Sequence, residues 1–143
     1  MKKIFYIFIF FSLTCFSYAD TNQQKKIDDL FDQLKIASNY KNSKIIESKI
    51  WELWTTHPSE NSLTALLADG SFYMSQNKLE TAYETFTKTI ELDSNWAEAW
   101  NKRATVLYLM GEYELTQADI DKVLELEKRH FGALSGQGLV QTA

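Results

Sequence analysis

From residue 24 onward, apolar side chains recur at three- and four-residue intervals, the spacing that gathers them on one face of an α-helix. Gln24–Ala37 carries Ile27, Leu30, Phe31 and Leu34 in that phase, and Ile45–Trp54 carries Ile45, Ile46, Ile50, Trp51 and Trp54. The spacing predicts a helix pair, broken at Ser38–Ser43 and ended by 55-TTHPSENS-62, which holds the single proline of the chain. Residues 20–23 are expected to be a short disordered tail.

Beyond that pair the chain superimposes on itself without a gap. LTALLADGSFYMSQNKLETAYETFTKTIELDSNW (63–96) lies over AEAWNKRATVLYLMGEYELTQADIDKVLELEKRH (97–130), 34 residues each. Both blocks hold an apolar-periodic segment, a polar break and a second segment ending in an E-L pair, and a period of this length belongs to stacked helical arrays. At the first break Asn77 is followed three residues later by Glu80, the pattern of a reciprocal helix cap, and Asn95 with Glu98 repeats it. Gly111 stands where Asn77 stands in the first block, and its tolerance of positive φ suits a tight helix-to-helix turn. Each block therefore reads as helix, turn, helix.

These blocks resemble the tetratricopeptide repeat. That family places a large apolar residue at position 4, an aliphatic at 7, Gly or Ala at 8, an aromatic or Leu at 11, Ala at 20, an aromatic at 24 and often Pro at 32. The first block offers Leu66, Gly70, Tyr73, Ala82 and Phe86 at 4, 8, 11, 20 and 24; the second offers Trp100, Ala104, Leu107 and Val123 at 4, 8, 11 and 27. Asp69 and Arg103 depart from the pattern at position 7, Thr116 and Ile120 at 20 and 24, and Ser94 and Lys128 at 32. The small residues at position 8 still permit close approach of paired helices. Asp69 and Arg103, sharing position 7, could form an internal ion pair.

The resemblance implies an all-α helix-turn-helix array, a TPR-like α-solenoid of about two and a half repeats behind a degenerate helix pair. The expected division is 20–62 for the pair, 63–96 and 97–130 for the repeats and 131–143 for a partial third unit, with Leu134 and Gly138 at its positions 4 and 8. An array normally ends in a polar-faced helix, whereas this segment is apolar and glycine-rich. Either the chain is truncated relative to a longer relative, the reading preferred, or Phe131, Leu134 and Leu139 pack back on the array or on another copy as a homo-oligomer contact. Trp100, at position 4, is expected in the core; Trp96, at the junction, is left open between packing and exposure.

Ahead of all this stands MKKIFYIFIFFSLTCFSYAD, with two lysines, an apolar run and small residues before a cut after Ala19. This is the form of a secretory signal peptide over residues 1–19. Its apolar stretch, Ile4–Phe16, is shorter than the roughly 18 to 20 residues a spanning helix needs, so the mature form is expected to be free of the membrane. Cleavage would remove Lys2, Lys3 and Cys15, leaving no thiol and moving the formal charge from −4 to −6. That acidic balance argues against nucleic acid as a partner, which requires clustered positive charge.

No catalytic signature is present: there is no glycine-rich phosphate loop and no Gly-x-Ser-x-Gly. His57 and His130 are expected in surface or helix-end roles, His130 near a helix C-terminus. Glu112, Glu114, Asp119 and Asp121 lack the close oxygen-ligand run of a calcium loop, so neither a metal nor another cofactor is expected.

By the resemblance, the partner-facing positions of each first helix are 2, 5, 9, 12 and 13. They select Thr64, Leu67, Ser71, Met74 and Ser75 from the first block and Glu98, Asn101, Thr105, Tyr108 and Leu109 from the second. Leu67, Ser71, Met74, Asn101, Thr105, Tyr108 and Leu109 are the candidate partner-binding residues, suited to a helix or extended peptide with apolar anchors. Asn101 and Lys102 resemble part of a carboxylate clamp known in the family, but Thr64, Leu67 and Gly132 occupy the neighbouring basic positions, so a terminal-carboxylate clamp is not expected. The function implied is a non-enzymatic scaffold or adaptor for a protein or peptide, exported to a bacterial periplasm.

Overall fold

The computed structural model describes residues 18–142. The expected signal peptide lies outside them except for Tyr18 and Ala19, which begin the first helix. Seven helices follow in order, with no strand among the described residues: α1 Tyr18–Lys35, α2 Tyr40–Thr55, α3 Asn61–Ser75, α4 Leu79–Leu92, α5 Ala97–Met110, α6 Tyr113–Leu126 and α7 Phe131–Val140. The expected tail at 20–23 is instead helical. Gln23 anchors it by donating from Nε2 to the carbonyls of Leu53 and Thr56 at the end of α2. The break between α1 and α2 is also shorter than expected, because Asn39 caps α2 by accepting from the Asn42 N–H at 2.9 Å.

The first block holds α3 and α4, the second α5 and α6. Within the first pair the helices touch at Gly70, where a Cβ would lie 2.5 Å from Phe86 Cε1. Phe86 is fully buried with Leu63, Leu67, Ala82, Ile90, Trp96 and Val106. A ring removed from water in this way contributes roughly 1.5 to 3 kcal/mol. The second block repeats the arrangement with Ala104 and Ile120, joined by Val123 and by Ala133 from α7.

The turns inside the two blocks are alike, and they correct the capping expectation. Asn77 and Gly111 both adopt positive φ, 56° and 81°. In each, the next N–H reaches back five residues: Lys78 N–H to Tyr73 O at 3.0 Å and Glu112 N–H to Leu107 O at 2.9 Å. Asn77 thus closes the C-terminus of α3 in a left-handed cap rather than opening α4. Neither α4 nor α5 has a side-chain cap at its N-terminus, and Glu98, cast as the reciprocal partner of Asn95, is buried elsewhere.

Trp96, whose place was left open, lies in the core, whereas Trp100, expected there, is only partly buried against the cores of both repeats. Trp96 is 7% exposed and donates its Nε1–H to the Trp54 carbonyl at 2.8 Å. Trp100 is only half-buried, and its Nε1–H donates to Ser94 O at 3.0 Å near the surface. Arg103 does not meet Asp69, which is exposed. Its guanidinium makes two parallel 2.8 Å bonds to Asp119 of α6 and lies over the Trp100 ring, 4.9 Å from its centre.

The first helices of successive units, α3, α5 and α7, lie side by side and form one face of the array. The N-terminal pair does not continue the stack beside α3. Instead α2 packs on α5, and its C-terminal tryptophans reach the start of α7.

Candidate functional site

Between α5, α6 and α7 the array leaves a groove of about 160 Å³. Its floor is apolar, formed by Ala104 and Ile120, and glycines of α7 let the backbone come close. A Cβ on Gly136 would lie 3.2 Å from Ile120 Cδ1. Asn101, Thr105 and Tyr108 border it from α5, and Ser135 and Leu139 from α7. The hydroxyls of Thr105, Thr116 and Ser135 donate to carbonyls of their own helices, so the polar rim presents mainly lone pairs to an occupant.

One end of the groove is closed by a buried polar cluster. Glu98 and His130 have no exposed side-chain surface, and His130 Nε2 stands 3.0 Å from Glu98 Oε2. The Ala133 N–H points at His130 Nδ1 from 3.3 Å, which makes that nitrogen an acceptor and leaves Nε2 to donate to the carboxylate. Asn101 Nδ2 donates to the same Glu98 oxygen at 3.0 Å, and Lys102 Nζ lies 3.4 Å from the other. His130 is therefore not at a helix C-terminus, as the sequence suggested; it caps the N-terminus of α7 from the core. His57 is also buried and has the same logic. Its Nδ1 accepts from the Glu60 N–H at 2.9 Å while Nε2 donates to Asp93 Oδ2 at 2.8 Å. Sequence periodicity missed both, because each histidine's carboxylate is supplied from another helix or from the end of one.

Of the candidate partner-binding residues, Asn101, Thr105 and Tyr108 meet in the groove, joined by Leu139. Leu67 does not: it is 2% exposed inside the first core, since α5 packs over it. Ser71 is half-buried, with its hydroxyl bonded to the Leu67 carbonyl, and Met74 packs against the same core. Leu109 is exposed outside the groove lining. Leu134 is exposed as well, but Phe131 is half-buried against Trp51 and Trp54 of its own chain.

A second ionic site ties α1 to the loop before α7. Arg129 bonds Asp28 at 2.7 Å and Glu127 at 2.8 Å, with its guanidinium 4.3 Å from the centre of the Phe31 ring. The Arg129 hydrogen bond holds the Asp28 carboxyl below its ordinary range. Burial works against the Glu127 carboxylate, but the Arg129 side chain, N–H and charge together hold its pKa low as well. Asp119, hydrogen-bonded to Arg103, raises the affinity of that guanidinium for its proton. Among the described residues no three His, Cys, Asp or Glu side chains are grouped to hold a metal ion, and no helix is long and apolar enough to cross a membrane.

No family model matches the chain. Among curated proteins it is similar to a TPR repeat-containing protein of Rhizobium etli, 31% identical over 122 residues that make up 85% of this chain. The chain belongs to the tetratricopeptide-repeat proteins. It spans 59% of the length of that relative. The left-handed turns of both blocks and the Gly70–Phe86 contact are the local physics of the repeat in this tetratricopeptide-repeat chain. Arrays of this family are scaffolds for protein interaction in general.

Proposed function

We propose that the chain is a non-enzymatic adaptor of the bacterial cell envelope that holds a segment of a protein partner in the groove between α5, α6 and α7. The observation that carries this reading is the groove itself: an apolar floor at Ala104 and Ile120 under a rim of Asn101, Thr105, Tyr108 and Ser135. Such a floor takes an apolar anchor, while the rim accepts hydrogen bonds from the segment that carries it. Because the groove is built on packed helices, the receptor side pays little ordering entropy on binding. Export rests on the basic, apolar and small-residue order of residues 1–19, and the bacterial origin of the relative supports the envelope of a bacterium.

Affinity capture from envelope extracts tests this reading. Tyr108→Ala and Leu139→Asp should each reduce capture of the partner while far-UV circular dichroism stays unchanged; undiminished capture by both folded variants overturns it. Osmotic-shock fractionation should release the mature protein with the periplasmic contents. A self-association reading is favoured by one observation, the exposure of Leu134 and Leu139 on α7. It requires concentration-dependent sedimentation that Leu134→Asp abolishes.

A further inference from the structure

The α1–α2 pair has a core of its own. Ile27, Ile46, Ile50 and Trp54 are buried together with Leu30, Phe31 and Leu34, and the array contributes Phe131 alone to that cluster. The pair meets the array chiefly through two side chains three residues apart on α2. Trp54 stacks on His130 at 4.0 Å and 17°, while Trp51 stands edge-on to His130 and to Phe131 at 5.6 and 5.0 Å. Trp51 also occupies the space beside Gly132, where a Cβ would come within 2.7 Å of its Cη2, and Gly132 lines the groove. The helix therefore covers the Glu98, Asn101 and His130 end of the face formed by α5 and α7 and stops where the open groove begins.

The fit is incomplete. Trp54 Nε1 is buried without a hydrogen-bond partner, an unmade bond that costs stability. One polar tie between the pair and the array is buried, from Trp96 Nε1–H to the Trp54 carbonyl, and the side-chain ties sit at the rim, from Asp28 to Arg129 and from Gln24 to Glu127. The connection has an anchored end, since His57 is held by Asp93, Thr64 and the first amides before α3. Thr56, extended at φ −107° and ψ 119°, is the joint just before it.

We infer that α2 is a resident, releasable ligand of the array, and that the partner which displaces it is an amphipathic helix carrying two aromatic residues at i and i+3. This rests on the reading of the α5–α7 face as the binding surface. It adds that the surface extends from the open groove to His130, and that the chain's own α2 shows which side chains this extension accepts. Tethered through a short joint, α2 competes at an effective concentration of about millimolar. An outside helix therefore gains access mainly when α1–α2 swings away.

A fluorescein-labelled peptide with the α2 sequence, residues 40–55, is the probe, titrated into the full-length protein. The Trp51→Ala/Trp54→Ala variant, whose own α2 has lost its anchors, should bind the peptide at least ~10-fold more tightly than the unmodified protein. A peptide with both tryptophans replaced by alanine should bind neither. Equal binding to the two proteins, or no binding to a variant of unchanged helicity, overturns the inference. If the variant loses helicity, native-state hydrogen exchange of the unmodified protein decides. Amides of α1 and α2 should then exchange as one block at least ~10-fold faster than those of α3 to α6, and equal rates overturn the inference. Undiminished partner capture by Tyr108→Ala and Leu139→Asp, with the α2 peptide still bound more tightly by the double-alanine variant, would overturn the adaptor reading and leave the α2 contact standing.

Discussion

Trp54 and His130 lie face to face, ring centres 4.0 Å apart, joining the end of α2 to the residue that caps α7. His130 thereby serves four contacts: the Trp54 and Trp51 rings, the Glu98 carboxylate and the Ala133 amide. Its replacement by alanine leaves the buried Glu98 with Asn101 and Lys102 but without the imidazole. Losing a hydrogen bond to a buried carboxylate costs about 1.5 to 3 kcal/mol, so the urea midpoint of His130→Ala should fall. Glu98→Gln, which can still accept from the imidazole, should cost less.

Arg103 and Asp119 supply a contrast between positions that the repeat alignment treats as equivalent. Arg103→Ala removes two charge-assisted bonds and leaves a buried carboxylate, an expected loss of about 2 to 3 kcal/mol. Asp69, its counterpart in the first block, is exposed, and Asp69→Ala should stay within about 0.5 kcal/mol. Chemical denaturation of the two variants side by side checks this.

Trp96 should prove the more costly tryptophan to lose. Its alanine variant gives up a buried ring and the bond to the Trp54 carbonyl, a loss of about 3 to 5 kcal/mol. Trp100→Ala, at a half-buried site, should cost clearly less. Thermal unfolding of the pair reads the order directly.

The glycines separate three effects. Gly70→Ala drives a methyl into the Phe86 ring and should cost about 1 to 3 kcal/mol by overpacking. At Gly111 there is open space, but φ is +81°, so alanine there costs about 1 to 2 kcal/mol through backbone strain alone. Gly138 lies within α7 with nothing near its Cβ position. Gly138→Ala should therefore stabilise by about 0.5 to 1 kcal/mol.

Asp28 and Glu127 predict a pH dependence. Both carboxyls are held below their ordinary values in the folded state, so the unfolded chain binds protons first as the solution is acidified. Their contribution is fully present above the ordinary carboxylate pKa of about 4 and is lost as pH falls through the lower folded values. Urea midpoints measured from pH 6 to pH 2.5 should drop more steeply for the unmodified protein than for Arg129→Ala, in which both shifts lose their main source.

The 34-residue period, the helix pairs and the left-handed turn at Gly111 were legible from residue spacing. The helices and the turn depend on side chains a few positions apart, whereas the approach of helices at Gly70 followed from the small residue at repeat position 8. Three of the seven candidate binding residues, Asn101, Thr105 and Tyr108, meet in the groove. Leu67 was misplaced because repeat position alone does not reveal that α5 buries it.

Local pattern thus settled the all-helical repeat and its register. Long-range contact settled the rest: Trp96 deeper in the core than Trp100, Arg103 with Asp119 rather than Asp69, and both histidines buried against carboxylates. It also placed α2 on α5 and α7 instead of in the stack beside α3. The physical reason is common to these cases. Helical phase is written in neighbouring residues, whereas the burial of a polar or aromatic group depends on which distant segment arrives to supply its partner.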